Sequence, residues 1–336
     1  MSRTFTLILV AAALVVAGAH IATAHPSRAA LTTGVVDIET NLAYVNGAAA
    51  GTGMVLTSSG EVLTNNHVIR GASTIRVIVP STKRSYSATV VGYDLAADVA
   101  VLQLKGASGL ATVTTGTSST VKLGQPASAV GNAGGTKTLT TTTGSITALG
   151  QNITVNDDQG GTEQLRGLIQ TDASLQPGDS GGPLLDGEHR VIGMDTAASA
   201  GFTFQSGGSS EGYAIPIDRA LALAKQIEGG KSSAQVHIGG TAFLGVQLQP
   251  SGYFRGQQFA AGQMITAVVP GSPVAHAGIV AGDVITQVDG RRVDAQGALV
   301  SILLRKHPGD KVTLRWVDQL AGAHTGTVTL ASGPPQ

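Results

Sequence analysis

The sequence predicts a mainly β protein, with two antiparallel β-barrels taking up most of the chain and a smaller α+β domain after them. Three observations predict it. Gly numbers 46 of 336 residues and only 12% of residues are charged, a turn-rich composition that suits strands better than a helical bundle. Short apolar or β-branched runs broken by Gly, Ser and Asn clusters recur from about residue 50 to residue 216. Beyond the polar Lys231-Ser232-Ser233 the sequence changes character. The length suffices for two domains with their own cores. Lys and Arg number 21, as do Asp and Glu, so the net formal charge is zero; no basic footprint points to a nucleic-acid partner.

In chain order, residues 1–24 read as an export signal: Arg3 precedes an apolar run over 5–18, and Ala22-Thr23-Ala24 supplies small residues for cleavage after Ala24. That run is short for a membrane span, so the expected product is secreted or held in the cell envelope, with no stable span after signal cleavage. Residues 25–33 form a short leader. Over 34–228 the pattern predicts strands at 51–57, 61–64, 74–80, 85–93 and 99–104 for a first barrel, and a small-residue link at 106–116. It predicts strands at 127–131, 139–149, 165–171, 183–185, 191–196 and 212–215 for a second. The threonines of 138–143 fit a strand, since Thr is a good strand former. Leu221, Ala224 and Ile227 recur near helical spacing between Asp218 and Gly229-Gly230, which predicts a helix over 217–228. Residues 229–237 read as a linker, 238–330 as the second domain and 331–336 as a tail.

The stretch richest in chemistry is Gln176-Pro177-Gly178-Asp179-Ser180-Gly181-Gly182-Pro183. Its glycines let the backbone bend sharply around Ser180, and such a turn can aim the amides of Gly178 and Ser180 at a developing oxyanion. A serine hydroxyl needs a base. His67 lies where an apolar run gives way to a polar turn, and Asp98 stands just before an alternating strand. Taken singly, each has a plain alternative: a surface turn for the serine, a capping role for the histidine, a solvated strand end for the carboxylate. The order His67, Asp98, Ser180 is one of the three chain orders in which this triad occurs. Cysteine is absent, and no His or carboxylate group recurs at metal-ligand spacing, so neither metal nor cofactor is expected. His25, His189, His237, His276, His307 and His324 read as ordinary surface or partly buried residues.

Thr64-Asn65-Asn66-His67-Val68, Asp98-Val99-Ala100-Val101-Leu102 and Gly178-Asp179-Ser180-Gly181-Gly182-Pro183 resemble the catalytic blocks of the HtrA/Deg group of trypsin-like serine proteases, and most of all its secreted mycobacterial members. The likeness runs over roughly residues 34 to 330. It implies a chymotrypsin-like double barrel, His67, Asp98 and Ser180 as triad, Gly178 and Ser180 as oxyanion hole, and cleavage of unfolded or damaged proteins. Aligned on the group, the pocket for the side chain before the scissile bond falls at Leu175, Ala197 and Ala198, which implies small to medium aliphatic residues. One departure is Asp179, where many members have Asn; its partner is left open. Residues 238–330 resemble a PDZ domain through Phe243-Leu244-Gly245-Val246, Val269-Pro270-Gly271-Ser272-Pro273 and Ala277-Gly278-Ile279-Val280-Ala281-Gly282-Asp283. That likeness implies that Phe243, Leu244, Gly245 and Val246 present amides to a peptide C-terminus beside an open strand edge. The stripe Leu299, Ile302 and Leu303 lines that groove or forms core. Related proteases trimerise through aromatic N-terminal residues, which 29–43 lack, so the oligomeric state stays open. A peptide-binding holdase or scaffold with an inactive protease domain is the alternative function.

Overall fold

In the computed structural model, residues 31–45, 47–156, 162–196, 211–250, 253–254, 257–258, 262–293 and 297–336 are described. The expected signal segment and most of the leader lie outside them. Strands β1 (Val35–Leu42), β2 (Gly47–Val55), β3 (Glu61–Thr64), β4 (Thr74–Val79), β5 (Arg84–Asp94) and β6 (Val99–Leu104) pair antiparallel in the order β5-β4-β1-β2-β3-β6. Strand β6 pairs back onto β5, so the sheet closes. Val36, Ile38, Val62 and Leu102 fill its interior. Strand β1 had no counterpart in the sequence pattern. Its run Val35-Val36-Asp37-Ile38 is buried throughout and therefore does not alternate.

A second closed barrel follows in the order β10-β11-β12-β9-β8-β7. Its strands are β7 (Pro126–Gly131), β8 (Thr140–Asn156), β9 (Thr162–Thr171), β10 (Pro183–Leu185), β11 (Val191–Asp195) and β12 (Gly212–Pro216), with Ala129, Ile169, Leu184 and Ile192 inside. The threonine run opens the long β8, as its strand propensity predicts. A further cluster takes Met54 and Leu63 from the first barrel and Val130, Met194 and Ile215 from the second, joining the two. Helix α1 (Asn66–Ile69) is a single turn after β3, and α2 (Ile217–Glu228) buries Ile217, Ala220, Ala224 and Ile227 against β11, β5 and β6. It ends at Gly229, as the sequence predicts.

Strand β13 (Val236–Ile238) adds to β5, so the end of the expected linker belongs to the first sheet. The C-terminal domain holds β14 (Thr241–Phe243), β15 (Val246–Pro250), β16 (Tyr253–Phe254), β17 (Gln257–Gln258), β18 (Gln263–Val268), β19 (Val284–Val288), β20 (Arg291–Arg292), β21 (Lys311–Val317), β22 (Ala323–Thr329) and β23 (Ala331–Gly333). Its main sheet runs β15-β18-β19-β21-β22, with β15 at one edge. Helices α3 (Pro273–His276) and α4 (Ala298–Leu303) complete it. Leu299, Ile302 and Leu303 are buried in its core. Residues 331–333, expected as tail, pair with β14.

The two parts touch at several points. Tyr44 stacks on Phe243 at 5.1 Å, and the Gln247 side chain donates to the Tyr44 carbonyl at 3.2 Å. The Gly71 amide donates to Pro335 at 2.8 Å, and Asn66 Nδ2 to the Gln336 carbonyl at 3.0 Å. His237, read from sequence as ordinary, is buried; its ring nitrogens face the carbonyls of Leu304 at 2.9 Å and Gly240 at 3.1 Å. Among the described residues no helix is long and apolar enough to cross a membrane.

Candidate active site

His67 sits on the single turn α1, directly after β3. Its Nδ1 lies 2.8 Å from Asp98 Oδ2, and its backbone N–H donates to Asp98 Oδ1 at 2.9 Å. One carboxylate thus fixes both the ring and the turn that carries it. Asp98 reaches this position from a tight turn between β5 and β6, with φ at +54°, a left-handed conformation that Asp tolerates better than most residues. Asn65 Nδ2 donates to the Asp98 carbonyl at 2.9 Å, and the Ala97 amide to Asp94 Oδ1 at 2.9 Å, so side chains on both sides hold the strained turn. Thr196 Oγ1 donates to Asp98 Oδ2 at 3.1 Å, giving that carboxylate a second donor from the other barrel.

Ser180 occupies the loop before β10, between Gly178 at φ +101° and Gly181 at φ +85°. Both values lie in the region where a Cβ is penalised. At Gly181 a Cβ would also come within 2.1 Å of the Thr52 carbonyl and 2.3 Å of Thr64 Oγ1. The loop is fastened to β2 of the first barrel: the Thr52 amide donates to the Ser180 carbonyl at 2.8 Å, and Thr52 Oγ1 to the Gly178 carbonyl at 2.7 Å. Gly51 is where the His67 and Ser180 segments meet. A side chain there would strike Val68 at 2.6 Å and the Ser180 carbonyl at 3.3 Å. Ser180 is buried, and the His67 side chain is nearly so.

The orientation of the 177–178 peptide is set by a second loop. The Gly134 amide donates to the Pro177 carbonyl at 2.7 Å. In a planar trans peptide this turns the Gly178 N–H to the opposite side. Asn132 ties that loop to the same anchor, its amide donating to Thr52 Oγ1 at 2.9 Å. Thr52, Asn132, Gly134 and Thr196 were not singled out in the sequence, and Thr64 entered only as part of the block that carries His67.

Leu175 is half-buried and packs on the second barrel core. A Cβ at Gly212 would come within 2.7 Å of its Cγ, so Gly212 leaves room for the leucine beside β12. Ala197 and Ala198 lie outside the described residues. In the C-terminal domain, the Leu244 and Gly245 carbonyls accept from the Val274 amide at 3.3 Å and the Val269 amide at 2.9 Å, and Gly245 has φ +86°. Phe243 thus ends β14, Leu244 and Gly245 turn with their carbonyls engaged, and Val246 starts edge strand β15. Phe243 is also held by Tyr44 from the first barrel.

Comparison with known proteins follows these two parts. A trypsin-like peptidase domain matches residues 51–194 and a PDZ domain matches residues 242–317. The chain is 35% identical to the serine protease PepD of Mycobacterium tuberculosis over 88% of its own length and 63% of that protein's. It is 34% identical to a probable periplasmic serine endoprotease DegP-like of Halomonas elongata, over 84% and 56%. The chain thus spans less than two thirds of the length of these relatives. The solved structure of the HtrA-type protease AlgW with a tripeptide superposes at a TM-score of 0.51, with 28% identity, covering 93% of this chain and 99% of that one.

Proposed function

Starting from a chain of the HtrA/Deg type, a trypsin-like peptidase domain followed by a PDZ domain, we propose that it is an exported serine endopeptidase that cleaves unfolded or damaged proteins and binds peptide C-termini through its PDZ domain. The observation that carries this reading is the His67–Asp98 pair at 2.8 Å, on a turn that shares the Gly51–Thr52 anchor with the Ser180 loop. Ser180 attacks the scissile carbonyl while His67 takes its proton and later delivers it to the leaving amine. Asp98 holds the tautomer that leaves Nε2 free to accept, and it stabilises the imidazolium as it forms. The amides of Gly178 and Ser180 stabilise the oxyanion.

In this reading the aliphatic side chain before the scissile bond is assigned to Leu175, with Ala197 and Ala198 added to the same pocket by the family resemblance alone. Discrimination there is weak, since a methylene is worth only about 1–3 kcal/mol. Phe243 to Val246 and the edge of β15 receive an extended peptide as an added strand; the tripeptide in the AlgW structure supports such recognition. Export rests on the 1–24 signal pattern and on the periplasmic naming of the Halomonas relative. A finer likeness, to the secreted mycobacterial serine protease PepA, rests on the three sequence blocks alone. The test is hydrolysis of unfolded casein by the purified protein and by Ser180→Ala. Activity should be lost by ~10⁶-fold, because triad members act as a unit; cleavage by Ser180→Ala at the wild-type rate would contradict the assignment.

A further inference from the structure

Two acids flank Ser180 with no cation paired to either among the described residues. Asp179 is 3% exposed and Asp195, the last residue of β11, is 0% exposed. Gly182 stands between them: its amide donates to the Asp179 carbonyl at 2.9 Å, and its carbonyl accepts from the Asp195 amide at 2.8 Å. The Asp195 carbonyl in turn accepts the Gly181 amide at 2.8 Å. Asp179 Oδ2 accepts the Gln176 amide at 2.8 Å. Asp179 Oδ1 and both Asp195 carboxyl oxygens meet no donor among the described residues. No Lys, Arg or His there forms an ion pair with either acid. Of the surrounding elements, β12 sets Ala214 opposite Asp195. Strand β7 sets Gly131 against Asp179, where a Cβ would come within 2.5 Å of Oδ1. Beyond the end of β11, Thr196 bonds to Asp98 and so links the Asp195 strand to the Asp98–His67 pair.

We propose that, of the buried acids Asp179 and Asp195, one carboxyl stays protonated, that this proton keeps the Ser180 turn in place, and that its loss to solvent at alkaline pH closes the catalytic site. A carboxylate stripped of water and of donors is costly, and two such groups linked through the backbone of one residue resist ionising together. A protonated carboxyl supplies one O–H donor, which is what the three unmatched oxygens lack. Burial raises both acids above the ordinary carboxylate range, Asp195 by far the more, with the charge of Asp179 adding to the rise. When the proton leaves, two negative charges meet beneath a turn already bent at Gly178 and Gly181. Repulsion then acts on the backbone that presents Ser180 and the Gly178 amide. Asp179 and Asp195 are positioning residues in this account, which rests on the reading of Ser180 as nucleophile.

The test compares wild type with Asp195→Asn and Asp179→Asn, substitutions that keep the shape and supply an amide donor that does not titrate. Infrared spectroscopy at neutral pH should show the C=O stretch of a protonated carboxylic acid in wild type, diminished in Asp195→Asn. The rate at which a fluorophosphonate labels Ser180 should fall on the alkaline side in wild type. In Asp195→Asn that fall should move up by at least about one pH unit, giving about tenfold faster relative labelling where wild type is shut, while the acid limb stays in place. An unchanged alkaline limb in both variants, or an unchanged carboxylic-acid band in Asp195→Asn, overturns the inference. If wild type is unlabelled at every pH, the nucleophile reading fails instead, and the infrared band still decides where the proton sits. If Asp195→Asn does not fold, Asp179→Asn gives the same two readouts.

Discussion

Replacing Thr52 by Val removes one hydroxyl and keeps the branched shape that β2 accommodates. The residue is fully buried. Its Oγ1 donates to the Gly178 carbonyl at 2.7 Å and accepts the Asn132 amide at 2.9 Å, so a single atom joins the Ser180 loop to the 132–135 loop. In Thr52→Val both partners lose their bond. An unsatisfied buried polar group costs about 1–3 kcal/mol. Asn132 is fully buried and belongs near the upper end, while Gly178 is half-buried and is partly repaid by water. The expected loss of stability is therefore about 2–4 kcal/mol. The freed Asn132 amide also loosens the 132–135 loop, whose Gly134 amide holds the Pro177 carbonyl and with it the 177–178 peptide that carries the Gly178 N–H. Turnover should then fall by up to about 10²-fold, the lower end of what losing one oxyanion donor costs, with KM little changed. Urea unfolding should be followed by circular dichroism, because the lone tryptophan, Trp316, reports on the C-terminal domain. Thr52→Ser keeps the hydroxyl and should stay within about 1 kcal/mol of wild type. A Thr52→Val protein within about 0.5 kcal/mol of wild type and equally fast would refute the reasoning.

Three further outcomes are expected. Asp37 is fully buried, neither of its carboxyl oxygens meets a donor among the described residues, and burial with nearby Glu39 raises its pKa from 3.8 to about 6 against the pull of Lys137. Between those values the folded protein holds a proton that the unfolded chain has released. Its contribution to stability should therefore fall, as pH rises through that window, by about 3 kcal/mol and then level off. Urea midpoints across the window should show that slope in wild type and not in Asp37→Asn; an identical slope in both would assign it to other groups. The PDZ domain should bind a peptide with an apolar C-terminal residue more tightly as the free acid than as the amide in a titration, and equal affinity would favour a bracing role. Mass-spectrometric mapping of casein products should place Val, Ala, Leu or Ile before most scissile bonds, because Leu175 offers a basic side chain no counter-charge; a map dominated by Lys and Arg would put the pocket elsewhere.

Most strands were legible because Gly, Ser and Asn clusters punctuate runs of period two, and α2 because its apolar positions recur at helical spacing. Strand β1 escaped since it is buried on both faces and shows no alternation. His67 and Asp98 could be paired from chain order, and their backbone support partly from neighbours, as Asn65 lies in the same block. Thr52 could not be read. It is one small residue between two glycines of β2, and its importance arises from a contact with Gly178 that only the docking of two barrels creates. Asp195 was hidden for the same reason: a lone acid at a strand end reads as solvated until the fold buries it. Residues 331–333 read as a tail because their pairing partner, β14, lies ninety residues earlier in the chain.

The most direct test of the account is to treat the protein with a fluorophosphonate, digest it and locate the adduct by mass spectrometry. The account predicts a single modified residue, Ser180, with labelling abolished in His67→Ala, where the serine has no base, and greatly slowed in Asp98→Asn. Labelling at another residue, or of Ser180 at the wild-type rate in His67→Ala, would contradict it.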